Sequence, residues 1–501
     1  MLVCITANTQ IRAYTDNYKQ LIIADAQLAP FDNDDISRFR VWKSCKGFGS
    51  KLVSATGGYV GALSVKDYIR QEYENGIEYV LLMGETSAIP VYRKQINDTI
   101  SATGDYWYGC MDDDDYAEIA IGRFCTSDRT SFQNMIGKTI AYESAPNRFY
   151  DKCLLVAHSE DAPGKYQGCC EEIIGASYST PMTFYKAYGA SASHGGTHAT
   201  NADVIDHIQS GLNIVNYRGH AIRTAWGGGD GWNTTDEQGF HFPYYDSQVD
   251  SLFTHRPIFL SIACLSGDIT KWCMLKAFMN SIKGPVAFLG STIESNTDAN
   301  NTLDKLLFQK LLNEGKHHIG QMNLEAQKQT IADAPTTAEA IRATENVYAY
   351  ILGGDPTLEI WTGEAQTFSD SLVFVFEDSY YYGSETEYGY KVYVTSLDGN
   401  LLQEYSPGAY NTLNIDAPCY VSVCRHNYVP KVFYCDPASL SVKTCTVEGG
   451  FIHINDPARI GQHTTATQAA RCPWFDLQGR RISGEPQQRG VYISNGRKIM
   501  K

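Results

Sequence analysis

The chain has 501 residues, more than one ordinary core accommodates, so its length predicts roughly two to four domains. Apolar residues make up 43% and charged residues 19%, which is typical of a globular protein and excludes a disordered or fibrous chain. The net charge of -15 argues against a general nucleic-acid binder, and no apolar run approaches the ~18 residues of a transmembrane helix.

The first residues lack the features of a signal peptide. Met1–Asp16 has neither a charged n-region nor a long apolar h-region, and Leu2–Ile5 is predicted to form a strand. A sequence that opens inside a strand is compatible with a missing upstream segment. We therefore do not infer a cytoplasmic location from the absence of a signal.

Up to about residue 362, short apolar runs alternate with segments of helical periodicity. The runs are continuous, which predicts strands that are buried on both faces. These strands are Tyr79–Met83, Cys153–Ala157, Ile214–Tyr217, Ile258–Ala263 and Val286–Leu289. The predicted helices are one capped by Ser64 and ended by Gly76, one through Phe132–Ile140, one capped by Asn201 and ended by Gly211, and one through Leu303–Leu311. This alternation predicts an α/β layered fold with a largely parallel sheet.

After Trp361 the sequence becomes rich in short β-strands separated by turn signals such as Asp398-Gly399. The predicted strands are Leu372–Phe376, Tyr390–Thr395, Leu413–Ile415, Tyr420–Cys424 and Val432–Tyr434. Their number and spacing indicate a small β-sandwich. The polar stretch Asn455–Ala470 is interpreted as a linker, and Val491–Met500 is predicted to form a final hairpin.

The 14 cysteines are scattered, with no CxxC pair and no Cys/His cluster at zinc spacing. We interpret most of them as buried thiols that act as small apolar side chains. The acidic run from Asp112 to Asp115 is a candidate metal site. A solvated turn is the first interpretation of that run, and a structural calcium site is the alternative, because calcium binds clustered carboxylates.

Reactive side chains follow three of the predicted strands at their carboxyl ends, where open α/β sheets bind ligands. His158–Asp161 follows one strand, His220 follows the next, and Cys264 follows the third. A cysteine nucleophile needs a base to take its proton, and the base benefits from an orienting acid. Each residue alone has an ordinary structural explanation, but together they predict nucleophilic catalysis. The backbone N–H groups of Cys264 and Ala221 are candidates for an oxyanion hole.

At these residues the sequence resembles the gingipain family of cysteine peptidases, which belongs to the caspase-like clan. Two motifs carry the resemblance, Asn216–Ala221 with its histidine and Ala263–Asp268 with its cysteine. Further similar segments are Trp42-Lys43, Lys46–Phe48, Leu81–Glu85, Ile89-Pro90, Asp105–Tyr108, Ile119–Phe124, Thr224–Gly227, Phe288–Thr292 and Gly354–Pro356. They occur in order over roughly residues 2–362.

The resemblance implies a caspase-like α/β/α layered catalytic domain followed by a small immunoglobulin-like β-sandwich. Combined with the change of pattern along the chain, it predicts a catalytic domain at 1–362 with subdomains of about 1–100 and 101–362. The sandwich is predicted at 363–452, and a linker with a C-terminal tail at 453–501.

The resemblance also implies a role for each site residue. Cys264 is the nucleophile, His220 is the general base and acid, and Glu160 is the orienting acid, with Asp161 as the second choice. The family has Gly after its catalytic histidine, whereas this sequence has Ala221.

Substrate contacts and a metal are implied in the same way. Trp226 and Glu171 are the candidate substrate-binding residues, and Glu171 lies near the position of the family's specificity acid. No cofactor is expected for catalysis, and a structural calcium ion at Asp112 and Asp115 is a further expectation.

Phe475–Arg481 and Gly490–Lys501 resemble the C-terminal tails of secreted Bacteroidetes proteins, which direct export across the outer membrane. The sequence therefore predicts a secreted or cell-surface cysteine endopeptidase that acts on proteins or peptides and meets an export machinery through its tail. It predicts neither nucleic-acid binding nor a transmembrane segment. Two alternatives remain: a catalytically silent surface adhesion protein and a sortase-like transpeptidase.

Overall fold

A computed structural model describes residues 18–28, 33–112, 114–144, 150–158, 165–189, 199–226, 240–241, 249–369, 374–377, 380–383, 389–405, 411–413, 415–455, 474–475, 481–482, 491–494 and 497–500. The chain divides into two compact units, Met1–Asn455 and Asp456–Lys501. The finer domain boundaries predicted from the sequence stay predictions. The predicted strand at Leu2–Ile5 lies outside the described residues.

Strands in the first part of the chain are β1 (Gln20–Asp25), β2 (Ser50–Ala55), β3 (Tyr59–Val60), β4 (Leu63–Ser64), β5 (Tyr79–Met83), β6 (Tyr92–Gln95), β7 (Ser101–Gly104), β8 (Ala120–Phe124), β9 (Lys152–Ala157), β10 (Thr183–Tyr188), β11 (Ile214–Arg218), β12 (Ala221–Ile222), β13 (Ala225–Trp226), β14 (Phe240–His241), β15 (Ile258–Ile262), β16 (Ala287–Ser291) and β17 (Tyr350–Gly353). Helices are α1 (Asn33–Cys45), α2 (Val65–Tyr73), α3 (Arg129–Ser144), α4 (Gln167–Gly175), α5 (Asn201–Ser210), α6 (Met274–Asn280), α7 (Thr297–Leu312), α8 (Ile319–Ala332) and α9 (Thr337–Ala349).

Ten of these strands form one sheet in the order β10-β9-β11-β15-β16-β17-β8-β5-β1-β2. Every neighbouring pair is parallel except β16 and β17, which are antiparallel. The sheet therefore consists of two parallel halves that run in opposite directions. The carboxyl ends of β9, β11, β15 and β16 meet at one edge, and this edge positions the site. The predicted α/β fold with a largely parallel sheet is confirmed.

Side chains alternate between two cores on the faces of this sheet. In β11, Val215 and Tyr217 belong to one core and Ile214 to the other. The first core also holds Phe132 of α3, and the second holds Leu307 of α7. Helices thus cover both faces, which explains why the strand sequences are continuous apolar runs.

Local signals explain where the helices begin and end. The Ser64 hydroxyl oxygen accepts the N–H of Asp67 at 3.1 Å and caps α2, as predicted. For α5 the predicted cap at Asn201 is one residue late, because Thr200 and Asp203 form a reciprocal capping box. Gly211 ends α5 with a φ of 100°, a conformation that favours glycine.

The β-rich region is a two-sheet sandwich. Its strands are β18 (Phe374–Glu377), β19 (Tyr380–Gly383), β20 (Lys391–Ser396), β21 (Leu401–Tyr405), β22 (Asn411–Leu413), β23 (Cys419–Cys424), β24 (Lys431–Asp436), β25 (Ser441–Glu448) and β26 (Phe451–Ile454). They form sheets in the orders β18-β19-β22 and β21-β20-β23-β24-β25-β26. Leu413 of the smaller sheet shares a core with Val392 and Val421 of the larger one. The predicted sandwich is therefore confirmed, although four of its strands had no sequence signal.

The sandwich packs against the end of α1. The Ser422 hydroxyl group donates to the carbonyl oxygen of Cys45 at 2.6 Å, and Ser44 donates to the carbonyl oxygen of Gly399 at 2.8 Å. Gly47 has a φ of 89°, and a Cβ atom there would lie 2.4 Å from the Tyr393 ring. Glycine at this position allows the chain to turn and Tyr393 to approach the backbone.

The second unit contains β27 (Trp474–Phe475), β28 (Arg481–Ile482), β29 (Val491–Ser494) and β30 (Arg497–Met500), paired in the order β28-β27-β29-β30. The antiparallel pair β29 and β30 confirms the predicted hairpin. Across the described part of the chain, none of the helices combines the length and apolarity that crossing a membrane requires.

Candidate active site

The strand register places the predicted histidine and cysteine at the same edge of the sheet. β11 pairs in parallel with β15, and Arg218 is opposite Ile262. His220 and Cys264 each follow their strand's last residue by two positions. Because neighbouring strands lie about 4.8 Å apart, the two residues occupy equivalent positions at adjacent strand ends. This is the arrangement that the sequence predicts for a nucleophile and its base.

Two aromatic side chains surround the imidazole of His220. The His158 ring lies 5.1 Å from it and nearly perpendicular, and the Tyr166 ring lies 5.6 Å away. The Tyr166 hydroxyl group is 3.5 Å from Nε2 of His220. His158 follows β9, and Tyr166 immediately precedes α4, so strand and helix together hold the imidazole in place.

The side chain of Tyr217 holds the loop of His220 in place. The Tyr217 hydroxyl group donates to the carbonyl oxygen of His220 at 2.7 Å, and its ring stacks on Trp226 at 4.2 Å. A Cβ atom at Gly219 would lie 2.3 Å from the Tyr217 hydroxyl oxygen and 2.6 Å from Cβ of His158. The Gly219 of the His motif therefore allows the loop to pass close to the neighbouring strand end.

The turn after Cys264 is hydrogen-bonded to the end of β16 and to the residues just after it. Leu265 has a φ of 56°, which is unusual for a residue with a side chain. Its N–H donates to the carbonyl oxygen of Ile293 at 3.0 Å, and that of Gly267 donates to Ser291 at 2.9 Å. These bonds stop β15 and leave Cys264 at the turn with a partly exposed side chain.

Ser295 contacts the sulfur atom of Cys264 directly. Its backbone N–H donates to Sγ at 3.3 Å, and its hydroxyl oxygen is 3.8 Å from Sγ. The Asn300 amide donates to that hydroxyl oxygen at 2.7 Å, and Asn346 donates to Asn300 at 2.8 Å. A chain of hydrogen bonds from two helices therefore fixes the position of the thiol's neighbour.

Cys264 differs from most other cysteines in its exposure. All 12 cysteines in the described ranges are free, and ten of them are buried. Burial raises the pKa of Cys110 to about 11 and that of Cys273 to about 12. Cys445, the second partly exposed cysteine, lies in the sandwich, and burial raises its pKa to about 12. The sequence interpretation of most cysteines as buried thiols agrees with this pattern.

The two predicted substrate residues have other contacts in this structure. Trp226 has no exposed surface, and its Nε1 donates to Ser261 at 2.9 Å, so its ring is packed in the core. Glu171 on α4 is 2.7 Å from the Lys186 ammonium group and accepts a hydrogen bond from Tyr188. These contacts direct Glu171 towards β10, and the substrate-binding roles of both residues stay predictions.

The remaining predicted residues have mixed outcomes. Ala221 is buried and begins β12, where it pairs with Trp226. Glu160 and Asp161 lie outside the described residues, so their roles stay predictions.

The Asp115 carboxylate binds Lys94 at 2.7 Å and Tyr348 at 2.9 Å, and Asp112 is exposed. Among the residues that the structure describes, no group of three potential ligands converges, and the calcium site stays a prediction.

Sequence reasoning assigned no role to three residues at or beside the site, namely Tyr166, Ser295 and Arg218. Tyr166 and Ser295 reach it from segments without a motif of their own. Arg218 stands two residues before His220 inside the recognised motif. A charged residue directly after the predicted strand Ile214–Tyr217 was the available signal for Arg218.

The chain is similar to known peptidases in both sequence and fold. The model of Peptidase family C25 matches residues 13–361. Gingipain R2 of Porphyromonas gingivalis is 24% identical over 509 residues, which is 92% of this chain and 63% of that relative. Gingipain R1 of the same species is 26% identical over 354 residues, which is 66% of this chain and 33% of the relative. The chain thus spans less than two thirds of either relative.

The fold has a solved counterpart. The crystal structure of the Arg-specific cysteine proteinase gingipain R superposes with a TM-score of 0.66 at 20% identity, covering 83% of this chain and 97% of that one. The fold and the sheet edge thus define a gingipain-like α/β/α protein with a cysteine and a histidine at adjacent strand ends. Since the family model covers more than two thirds of its length, the chain belongs to Peptidase family C25.

Proposed function

We propose that the chain is a cysteine endopeptidase in which Cys264 and His220 cleave peptide bonds. The observation that carries the proposal is the parallel register of β11 and β15, which ends both strands two residues before these side chains. The partial exposure of Cys264 supports it, because a nucleophile must reach its substrate. Membership of Peptidase family C25 supports the same chemistry.

The first half of the reaction forms a thioester. His220 takes the thiol proton, and the sulfur of Cys264 attacks the carbonyl carbon of the scissile peptide bond. The bond to nitrogen then breaks, and the imidazolium gives its proton to the leaving amine. The N–H groups of Ala221 and Cys264 are the proposed donors to the oxyanion of the tetrahedral intermediate.

The second half releases the acyl group. His220 takes a proton from a water molecule, the resulting hydroxide attacks the thioester carbon, and the proton returns to the sulfur. Glu160 is the proposed acid that orients the imidazole, and Tyr166 supports the same ring through its hydroxyl group.

Location and partners are part of the proposal. The resemblance of the tail to secreted Bacteroidetes proteins supports export to the cell surface or medium, with protein or peptide substrates there. A chain that lacks residues 475–501 is expected to keep its kcat and to change its distribution between cell fractions and medium. Normal export of that chain in a native host would contradict the sorting role.

A cleavage profile on a peptide library tests the activity. The wild-type chain is expected to cleave a subset of peptides, and Cys264→Ala and His220→Ala are each expected to abolish cleavage with an unchanged circular dichroism spectrum. Cys445→Ala is the matched control, because among the described cysteines it removes the other partly exposed thiol. Loss of turnover in a double mutant should hardly exceed that in either single mutant, since the two residues act as a unit.

The same experiment separates the alternatives. A silent adhesion protein would cleave nothing and would not react at Cys264 with an electrophilic peptide. A transpeptidase would form the same acyl-enzyme but pass the acyl group to an added amine, so ligated products would replace hydrolysed ones.

A further inference from the structure

A fully buried arginine lies at the end of the strand that leads to His220. Arg218 is the last residue of β11, and its side chain has no exposed surface. Burying a charged group is costly unless its donors find acceptors. The acceptors of this guanidinium group therefore indicate what it holds together.

The first acceptor lies on the strand that leads to the nucleophile. Nη1 of Arg218 donates to the carbonyl oxygen of Ile262, the last residue of β15. Cys264 follows Ile262 by two positions. The side chain therefore links the ends of the two strands that carry the proposed base and the proposed nucleophile.

The second set of acceptors lies on α7, the helix that follows Ser295. Nη2 of Arg218 donates to Oδ1 of Asn301 and, at 3.4 Å, to the carbonyl oxygen of Thr297. Ser295 stands just before this helix and donates to the sulfur of Cys264. One guanidinium group thus connects the end of β11, the end of β15 and the start of α7, which lie beside His220, Cys264 and Ser295 respectively.

A ring and a carboxylate complete the environment. The guanidinium carbon is 5.4 Å from the centre of the Tyr166 ring, which itself contacts His220. The Asp304 carboxylate is 3.7 Å from Nε of Arg218 and accepts a hydrogen bond from Asn216 at 3.1 Å. Burial raises the pKa of Asp304 to about 6, and the positive charge of Arg218 counters that shift.

We infer that Arg218 is a positioning residue that fixes the separation of the His220 imidazole and the Cys264 thiol. It touches neither substrate nor reacting atoms, and acts through the carbonyl group of Ile262, through α7 and through the Tyr166 ring. The inference rests on the proposed function of Cys264 and His220. The planar fork of arginine can reach these acceptors together, whereas a lysine ammonium group at the same place cannot.

Arg218→Lys tests the inference, with Arg123→Lys as the matched control. Arg123 also has no exposed surface and forms a bidentate pair with Asp105. It lies in β8, four strands from β11 and in the half of the sheet that runs the other way. Both variants should lower the melting temperature, because each disturbs a buried ion pair.

Two readouts distinguish positioning from stability. Arg218→Lys is expected to lower kcat by about 10- to 100-fold and to leave KM within about 3-fold, since misplaced reacting groups reduce rate more than binding. It is also expected to shift the pH profile of Cys264 alkylation by iodoacetamide, followed by mass spectrometry. Arg123→Lys should leave both kcat and the profile unchanged. Equal behaviour of the two variants in both readouts would overturn the inference.

The alkylation readout separates this inference from the proposed function, because it needs no turnover. A wild-type chain that cleaves nothing but whose Cys264 profile shifts in Arg218→Lys would refute the peptidase proposal and support positioning. If Arg218→Lys does not fold, Asn301→Ala removes one acceptor from a partly exposed helix position. It should cause a smaller fall in kcat and a shift in the same direction, and an unchanged profile would overturn the inference.

Discussion

The imidazole of His220 contacts Tyr166, and this neighbour offers a direct test of how the base is oriented. Tyr166→Phe removes the hydroxyl group 3.5 Å from Nε2 and keeps the ring. We expect kcat to fall by about 3- to 10-fold with KM nearly unchanged, because an orienting hydrogen bond acts mainly on the imidazolium formed during the reaction. Steady-state kinetics beside Tyr434→Phe, a tyrosine of β24, provides the measurement and its control. Equal kcat values for the wild type and Tyr166→Phe would show that the hydroxyl group has no such role.

Gly219 lies where an added methyl group would collide with its neighbours. In Gly219→Ala the new methyl group would meet Tyr217 and His158 closer than 3.0 Å, and Tyr217 is buried, so the loop must move. We expect a loss of about 1–3 kcal/mol in unfolding free energy and a marked fall in kcat.

The control for this variant is Gly137→Ala. Gly137 lies within α3, and a Cβ atom there would have nothing within 4 Å. It should stabilise the chain by about 0.5–1 kcal/mol, because alanine favours a helix. Urea denaturation measures both variants, and a Gly219→Ala protein as stable and active as the wild type would refute the steric argument.

Two histidines at the start of α8 should make the stability of the fold depend on pH. His318 immediately precedes this helix, and its ring packs edge-on against Phe48 at 4.9 Å. Burial lowers its pKa to about 4, with Lys43 and Lys46 acting in the same direction and Glu359 opposing them. His317 beside it also has a pKa lowered to about 4, first by burial and then by His426.

The sign of the effect follows from linkage. The unfolded chain takes up these protons near pH 6.5, and the folded chain only near pH 4. The folded state should therefore lose stability as the pH falls through that window. His318→Phe keeps an aromatic ring at this position and removes one titrating group, so the stability of the variant should depend less steeply on pH. Urea midpoints between pH 7 and pH 4 test this, and parallel curves for the two proteins would contradict it.

Strands that are marked by a local run of apolar residues were predictable from the sequence. β5 coincides with its predicted strand, and the four other predicted strands in this part differ by one or two residues at their ends. Continuous apolar runs identify them because each strand is covered on both faces. The antiparallel step between β16 and β17 has no local signal, since α7, α8 and α9 separate the two strands along the chain. The direction in which β17 enters the sheet depends on the path that the chain takes through these three helices.

The candidate site was predictable to the same extent. His220 and Cys264 follow apolar strands within motifs, so residue type and position both indicate them. Arg218 and Asp304 form their pair across 86 residues, and no pattern in either segment specifies the other. Trp226 stands within a motif and is fully buried, so residue type alone did not indicate its packing in the core.

The sandwich covers part of the α/β region within the same compact unit. Ser422 and Tyr393 lie against the backbone around Cys45 and Gly47. A chain that ends at Thr362 would uncover this surface, and we expect a melting temperature several degrees lower and a greater tendency to aggregate. Its kcat should remain, because His220, Cys264 and the residues that contact them precede Thr362.

A chain that ends at Asn455 is the control for this truncation. It keeps the sandwich and lacks the second compact unit, so its melting temperature and kcat should match those of the full chain. Differential scanning calorimetry and peptide hydrolysis measure both truncations. Loss of kcat in a folded chain that ends at Thr362 would place part of the chemistry in the sandwich.

In the proposed reaction, the thiol of Cys264, activated by His220, forms the covalent intermediate. Mass spectrometry of the chain after reaction with a peptidyl electrophile tests this step without requiring turnover. We expect a single adduct on Cys264, prevented by Cys264→Ala, strongly slowed by His220→Ala and unaffected by Cys445→Ala. An adduct on another residue, or equal labelling of Cys264 with and without His220, would contradict it.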